Sequence, residues 1–381
     1  MDFNSKYRII TTYSFSILLM FLFLTEAYFK ITLYLTSHKI LLLQVTKGFI
    51  LINVLIYMFL KKTKALKGVF LFFVCFIIGQ CSLKNGFNTN VMVAFFKQIF
   101  LLIMLLFFFH CKIRRNQKKN FFDFFEYLIL FNSIIIIVGF LFDLKIFKSY
   151  SGERFGYNGF FITSGTGSYV YCITLIFLLK KYNDKVLKNI RNLIIVFSMF
   201  LVGTKVSYLF LFFFFFVYLW GYTNLNKIYL LSFFSALGVL TLYMFFFKYS
   251  LFNKIRLEDG FVSSLMSYRD ELLLNDTLPS IKKNWKFFNY LFGGIDVLST
   301  RSQIELVDVF YSSGIIGGLL YYYLFFKLFL IFNVNIYINF ILIITFIIIL
   351  LAGNFFSYPS LAIYVVILRE HLNSYEQNKH T

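Results

Sequence analysis

The sequence predicts an all-α fold, a polytopic integral membrane helix bundle with about twelve transmembrane helices in one domain and one large outer loop. Three observations carry this. Of the 381 residues 60% are hydrophobic and only 14% charged. The apolar residues come in long runs separated by short polar breaks, and lysines and arginines gather in alternate breaks. A water-soluble fold of this length keeps polar surface on every side and could not hide so much apolar side chain. A hydrocarbon core ~30 Å thick calls for about 20 apolar residues per helix, which the runs approach.

The runs fall at 9–25, 40–60, 68–83, 91–110, 124–143, 164–180, 190–204, 206–221, 227–247, 306–331, 336–352 and 355–369. Lys6 and Arg8 precede the first run like the basic region of a signal peptide. No small-residue cleavage motif follows, so that run is expected to remain as a span. Residues 26–39 are expected to lie along the interface.

Orientation comes from the basic breaks. Lys61, Lys62, Lys64 and Lys67 fill the second connection. Lys112, Arg114, Arg115, Lys118 and Lys119 fill the fourth, and Lys180, Lys181, Lys185, Lys188 and Arg191 the sixth. The positive-inside rule places these breaks and both termini in the cytoplasm. The outer connections then lie near 84–90, 144–163, 203–205, 248–305 and 353–354.

The net charge of +20 invites a nucleic-acid reading, but the cations form separate clusters between apolar runs and no continuous basic face. Nucleic acid is not an expected partner. Cys75, Cys81, Cys111 and Cys172 lie in or beside apolar runs without metal or redox spacing, as small core residues would.

The connection at 248–305 is far longer than a compact membrane protein needs, and such loops usually carry function. Its eight basic and seven acidic residues balance locally. Leu265, Met266, Leu272 and Leu273 recur at helical spacing with Arg269 on the same face. After Pro279, Ile281, Trp285 and Phe288 form one stripe, with Lys282, Lys283, Lys286 and Asn289 opposite and Gly293-Gly294 ending the run. This reads either as a basic amphipathic helix on the outer interface or as a solvated helix capping the bundle.

Ionisable groups near membrane depth are costly and so are site candidates. On the outer side these are Glu153, Arg154, Lys205, Arg269, Arg301, Glu305 and Asp308. Arg301, Glu305 and Asp308 have i, i+4, i+7 spacing, so a helix through them would put all three on one face. Two carboxylates beside an arginine suit a general base and a phosphate clamp. A plain Arg301–Glu305 surface pair with an acid near a helix N-terminus explains the same spacing. Lys205, after Gly203-Thr204 in a tight hairpin, is either a ligand contact or a lysine snorkelling to the interface. The glycines around Arg154 allow close backbone approach to a ligand or make a bare turn. His38 is the one outer histidine, and no cluster has metal spacing, so no metal and no cofactor are expected.

Several segments resemble the bacterial O-antigen polymerase family, polysaccharide polymerases related to the O-antigen ligases. Arg154-Phe155-Gly156 with Asn158 resembles the family's Arg-Phe-x-Gly-type loop, here before Ser164-Gly165-Thr166-Gly167-Ser168. Gly203-Thr204-Lys205 is similar to its Gly-Ser-Arg hairpin, with lysine in place of arginine. Ser267-Tyr268-Arg269-Asp270 resembles the Ser-x-Arg opening the large loop, and Asn289 to Gly294 its Gly-rich end. Ile304-Glu305-Leu306-Val307-Asp308 followed by Gly314-Ile315-Ile316-Gly317 resembles a Glu-x-Asp/Gly-x-x-Gly segment. Ser302-Gln303 stands where the ligases usually carry a histidine, which favours the polymerase.

The resemblance implies a metal-independent glycosyltransferase of the bacterial inner membrane. Its substrates, donor and acceptor, would be polyprenyl-pyrophosphate-linked oligosaccharides, and its partners membrane lipid, a chain-length regulator and a flippase. Glu305 or Asp308 would be the base, and Arg154, Lys205, Arg269 and Arg301 would contact pyrophosphate and glycan. Two other functions are held against it. An O-antigen ligase-type transferase would empty the lipid carrier rather than lengthen its chains. A lipid-linked oligosaccharide flippase would favour internal repeats and broken helices at matching positions.

Overall fold

A computed structural model of the chain describes residues 3–36, 41–60, 65–83, 87–110, 115–150, 154–248, 250–329, 332 and 334–373. Glu153, His38, Lys61, Lys62, Lys64, Lys112, Arg114, Cys111 and residues 84–86 of the first outer connection fall outside the described residues.

The protein is 84% helical, and among the described residues there is no strand. The helices are α1 (Phe3–Thr36), α2 (Leu42–Leu60), α3 (Ala65–Cys81), α4 (Thr89–His110), α5 (Arg115–Leu141), α6 (Ser164–Tyr182), α7 (Ile190–Leu201) and α8 (Lys205–Tyr222). They continue with α9 (Lys227–Tyr243), α10 (Ser250–Met266), α11 (Arg269–Glu271), α12 (Leu278–Asn284), α13 (Phe287–Phe292), α14 (Glu305–Phe329), α15 (Ile336–Ala352) and α16 (Leu361–Asn373). Each apolar run of the sequence coincides with a helix. Among the described residues seven helices are long and apolar enough to cross a membrane, and Leu66–Cys81, Ile190–Leu201 and Ile336–Ala352 are shorter apolar helices. The chain is therefore a multi-pass, all-α membrane helix bundle.

The centre is α6 with α16. Every residue of α6 from Thr166 to Leu179 is buried, as is every residue of α16 from Leu361 to Glu370. Around them α14 packs on α3 and α4, α5 on α1 and α7, and α15 on α8. Outermost is α9, with only Leu230 and Phe234 buried. Lipid supplies little hydrophobic drive between helices, so close approach and polar contacts do more of the packing. Gly79 of α3 and Gly314 of α14 stand against the backbone of 291–293 with no room for a Cβ. At Gly314 the α14 backbone departs from helical geometry, with φ 66°.

Several sequence expectations are corrected. Of the residues 26–39 expected along the interface, 26–36 continue α1 as one helix, with Glu26 and Lys30 buried against the bundle, and 37–39 lie outside the described residues. The stretch from Leu265 to Leu273 is not one helix: Ser267 and Tyr268 are left-handed, and a π-helical turn, Leu272–Thr277, follows α11. The helix after Pro279 is two short ones, because Trp285 is extended and Lys286 caps α13. Asn289, expected on the polar side, is fully buried and donates to Gly79 O at 2.7 Å and Gly293 O at 2.8 Å. Phe288, expected on the apolar stripe, is exposed. The last helix starts at Leu361 and not 355, since Pro359 turns its predecessor away from the helical region. Cys75 and Cys172 are buried, but Cys81 is exposed.

Candidate functional site

The N-termini of α6, α8, α14 and α16 meet at one end of the bundle, with the linker 353–360 among them. Thr163 and Thr204 cap α6 and α8 by accepting from the amides of Thr166 and Ser207. Their tips touch across the cluster, since Ser168 Oγ and Thr204 Oγ1 are 2.6 Å apart. The turn carrying Arg154 is tied to the one carrying Lys205 by Tyr157 N donating to Leu201 O at 2.8 Å. Gly203, at φ 73°, stands against the Phe155 carbonyl where a Cβ would collide.

Arg154, Lys205, Arg269, Arg301, Glu305 and Asp308 come from four separate segments, and this end of the bundle gathers them. Arg154 and Arg269 both lie within electrostatic range of Lys205. Arg269 is in turn within range of Glu305, Asp308, Tyr169 and Tyr358. Burial lowers its guanidinium from the ordinary arginine value, and those neighbours oppose the shift. Its Nη1 reaches Leu351 O at 3.5 Å, the limit of a hydrogen bond.

Arg301, Glu305 and Asp308 do not share one helical face. Helix α14 begins at Glu305, and Arg301 lies in extended backbone before it, with Gln303 left-handed between them. The expected Arg301–Glu305 surface pair is absent. Arg301 Nη2 instead pairs with Asp308 Oδ2 at 2.9 Å and donates to Ser357 Oγ at 3.0 Å. Ser302 donates to the other Asp308 oxygen at 3.0 Å. Both carboxylates are 1% exposed. The difference between them is occupancy. Both oxygens of Asp308 are engaged, whereas Glu305 Oε1 accepts from Phe356 N–H at 2.9 Å and Oε2 makes no hydrogen bond of good geometry, with the Asn354 amide nearby. Arg301 Nε, also buried, has no partner. Glu305 Oε2 and Arg301 Nε are thus a buried acceptor and a buried donor without a well-made hydrogen bond, open to a polar group of a ligand or a water.

Backbone strain gathers here too. Of the six described non-glycine residues with positive φ, Ser267, Tyr268, Gln303 and Asn354 flank this cluster, leaving Asp143 and Asn183 elsewhere. Such outliers cost ~1–3 kcal/mol each and concentrate at functional sites. Lys205 does not snorkel freely: its ammonium donates to Ser264 O at 2.6 Å, Leu265 O at 3.2 Å and Ser267 Oγ at 2.9 Å.

Sequence reasoning missed the linker 353–360. Besides Phe356 and Ser357, it brings Tyr358 onto Gly165 and within hydrogen-bonding reach of Thr163, and Ser360 to Lys47 Nζ at 2.5 Å. Tyr169 donates to Gly353 O at 3.0 Å. The signal was the polar set Asn354, Ser357, Tyr358 and Ser360 between two apolar runs. Among the described residues no three His, Cys, Asp or Glu side chains converge as metal ligands would; the carboxylates stand beside arginines.

The fold and cluster define a multi-pass helical membrane protein with two buried carboxylates beside half-buried arginines and a lysine at one end. Compared with protein-family models, curated proteins and solved structures, the chain matches none.

Proposed function

We propose that this chain is an O-antigen or capsular polysaccharide polymerase, a metal-independent glycosyltransferase acting on polyprenyl-pyrophosphate-linked oligosaccharides. In this reading twelve helices span the bacterial inner membrane, both termini are cytoplasmic, and the cluster faces the periplasm. Supporting that orientation, Lys180 and Lys181 lie in the last turn of α6, at the opposite end from the site.

The observation that carries the proposal is the contrast between the two buried carboxylates. Glu305 has an oxygen free to take a proton, while Asp308 is held in a pair that orients Arg301. In the reaction a sugar hydroxyl of the acceptor forms a C–O bond to the anomeric carbon of the donor. The C–O bond to pyrophosphate breaks, its electron pair leaves on the pyrophosphate oxygen, and the hydroxyl proton passes to Glu305. Negative charge developing on the leaving pyrophosphate is met by Arg269 and Arg301, whose planar forks suit phosphate oxygens. Arg154 and Lys205 extend the cationic surface toward the donor.

The test is polymer length in cells making each variant at matched protein level. Arg269→Ala and Glu305→Ala should leave single repeat units on the final acceptor. Full-length polymer from either variant would refute the assignment, and long polymer stranded on the carrier would point to a ligase.

A further inference from the structure

The segment above the cluster is built apart from the bundle. Residues 244–248 and 250–266 have their own small apolar centre of Phe246, Phe252 and Ile255, separate from the main core. Helix α10 packs chiefly on the π-helical turn Met244–Lys248 and on α11. It bends sharply at Gly260, whose φ of 96° suits glycine and around whose missing Cβ there is open space. It ends at the left-handed pair Ser267 (56°) and Tyr268 (65°), which hold that geometry without glycine. Two unusual backbone settings therefore bracket residues 261–266.

Ser263 Oγ donates to Asp270 Oδ2 of α11 at 2.6 Å, and Lys205 ties the segment to the start of α8. All three protons of the Lys205 ammonium are accounted for by Ser264 O, Leu265 O and Ser267 Oγ, an ammonium having three donors and no more. Its Nζ also stands 3.9 Å from the ring centre of Phe252, and Arg154 stacks 5.8 Å from the same ring. The carbonyls it holds close the C-terminal turn of α10, where unsatisfied carbonyls and negative partial charge collect. Meanwhile Arg154 and Arg269 surround this ammonium with like charge. A cation at the mouth of a cationic cluster is spent on neutral carbonyls.

We propose that residues 250–268 are a lid latched by Lys205, and that a phosphate or pyrophosphate group entering between Arg154 and Arg269 releases it. Hydrogen bonds from an ammonium to an oxyanion are about twice as strong as those between neutral groups, and an anion relieves the repulsion among the three cations. Because the ammonium cannot serve phosphate and the carbonyls of 264–265 with the same protons, binding shifts the lid toward its open form by that differential affinity. The bend at Gly260 and the turn at 267–268 then carry the motion. The choice of ligand rests on the polymerase proposal; the latch itself rests on the contacts of Lys205.

Hydrogen exchange on the full chain in lipid nanodiscs tests it, with inorganic pyrophosphate as probe and sulfate as control. In the wild type, saturating pyrophosphate should speed exchange of amides 261–268 at least about tenfold, a shift of ~1.4 kcal/mol, with α6 unchanged. Lys205→Gln should exchange fast there without the anion and respond no further, and Ser267→Ala should be intermediate. Unchanged or slower exchange with both free pyrophosphate and a prenyl pyrophosphate lipid would overturn the latch. So would Lys205→Gln behaving as wild type, or an increase spreading through α6 and α14. Release by a prenyl pyrophosphate lipid but not by free pyrophosphate would mean the headgroup must arrive from the bilayer, and equal release would make the oxyanion sufficient; either result supports the latch. If the latch responds while the polymer-length test fails, the polymerase reading falls and the lid stands.

Discussion

Arg301 reaches into the first turn of α14 to Asp308, 2.9 Å away, and leaves Glu305 to the backbone of Phe356. That choice of partner separates two acids that sequence spacing alone treats alike.

Glu305→Gln keeps the hydrogen bond from Phe356 N–H but removes the proton acceptor. The expected outcome is a turnover loss of about 10²–10⁴, the usual contribution of a general base, with an unaltered unfolding midpoint. Single-turnover assays in proteoliposomes measure it, and near-normal turnover would remove Glu305 from the chemistry.

Asp308→Asn should act mainly on stability. Removing one partner of a buried ion pair strands the other charge and costs about 3–5 kcal/mol, here for Arg301, whose side chain is 19% exposed. The double variant Arg301→Met with Asp308→Leu should recover much of that loss in thermal unfolding while remaining inactive. Equal stability of Asp308→Asn and wild type would show that the pair is not needed to hold the fold.

Gly314→Ala forces a side chain onto a left-handed residue pressed against the backbone of 291–293. A cost of at least ~1–3 kcal/mol is expected from strain, along with weakened docking of α13. Gly238 is the control. Its Cβ would meet only Phe212 at 3.5 Å, an ordinary contact, so Gly238→Ala should be neutral or slightly stabilising.

The turn before Arg154 should respond to acid. Lys148 and the Tyr157 hydroxyl, both hydrogen-bonding to Asp143, lower its carboxyl below the ordinary value of 3.8. A depressed folded-state value means the stabilisation is fully present above the unfolded value of 3.8 and is lost as pH falls from there through the folded value. Protection of the Ser149 and Asn158 amides, which bond to Gly156 O and Phe147 O, should therefore drop below about pH 3.8. Asp143→Asn should flatten that dependence, and an identical pH profile in the variant would disprove the role. Tyr157, raised to about 12 by burial and then by Asp143, stays neutral throughout the window.

What the sequence determined by itself is the helical membrane bundle and the set of candidate residues. Hydrophobic run length and the placement of lysine and arginine are local properties, and lipid enforces them residue by residue. Arg154, Lys205, Arg269, Arg301, Glu305 and Asp308 stood out for the same reason, being charges beside apolar runs where charge is costly.

Only the tertiary structure decided how those residues pair. Helical periodicity aligned Arg301 with Glu305, but Gln303 turns left-handed and starts α14 later, so the guanidinium reaches Asp308. Periodicity likewise joined Leu265 to Leu273, where two left-handed residues break the chain and deliver Arg269 to the cluster. The linker 353–360 was hidden because its key contribution at Phe356 is a backbone N–H, which no side-chain identity records. Run length and charge position are written along the chain, while partner choice depends on which turns meet in space.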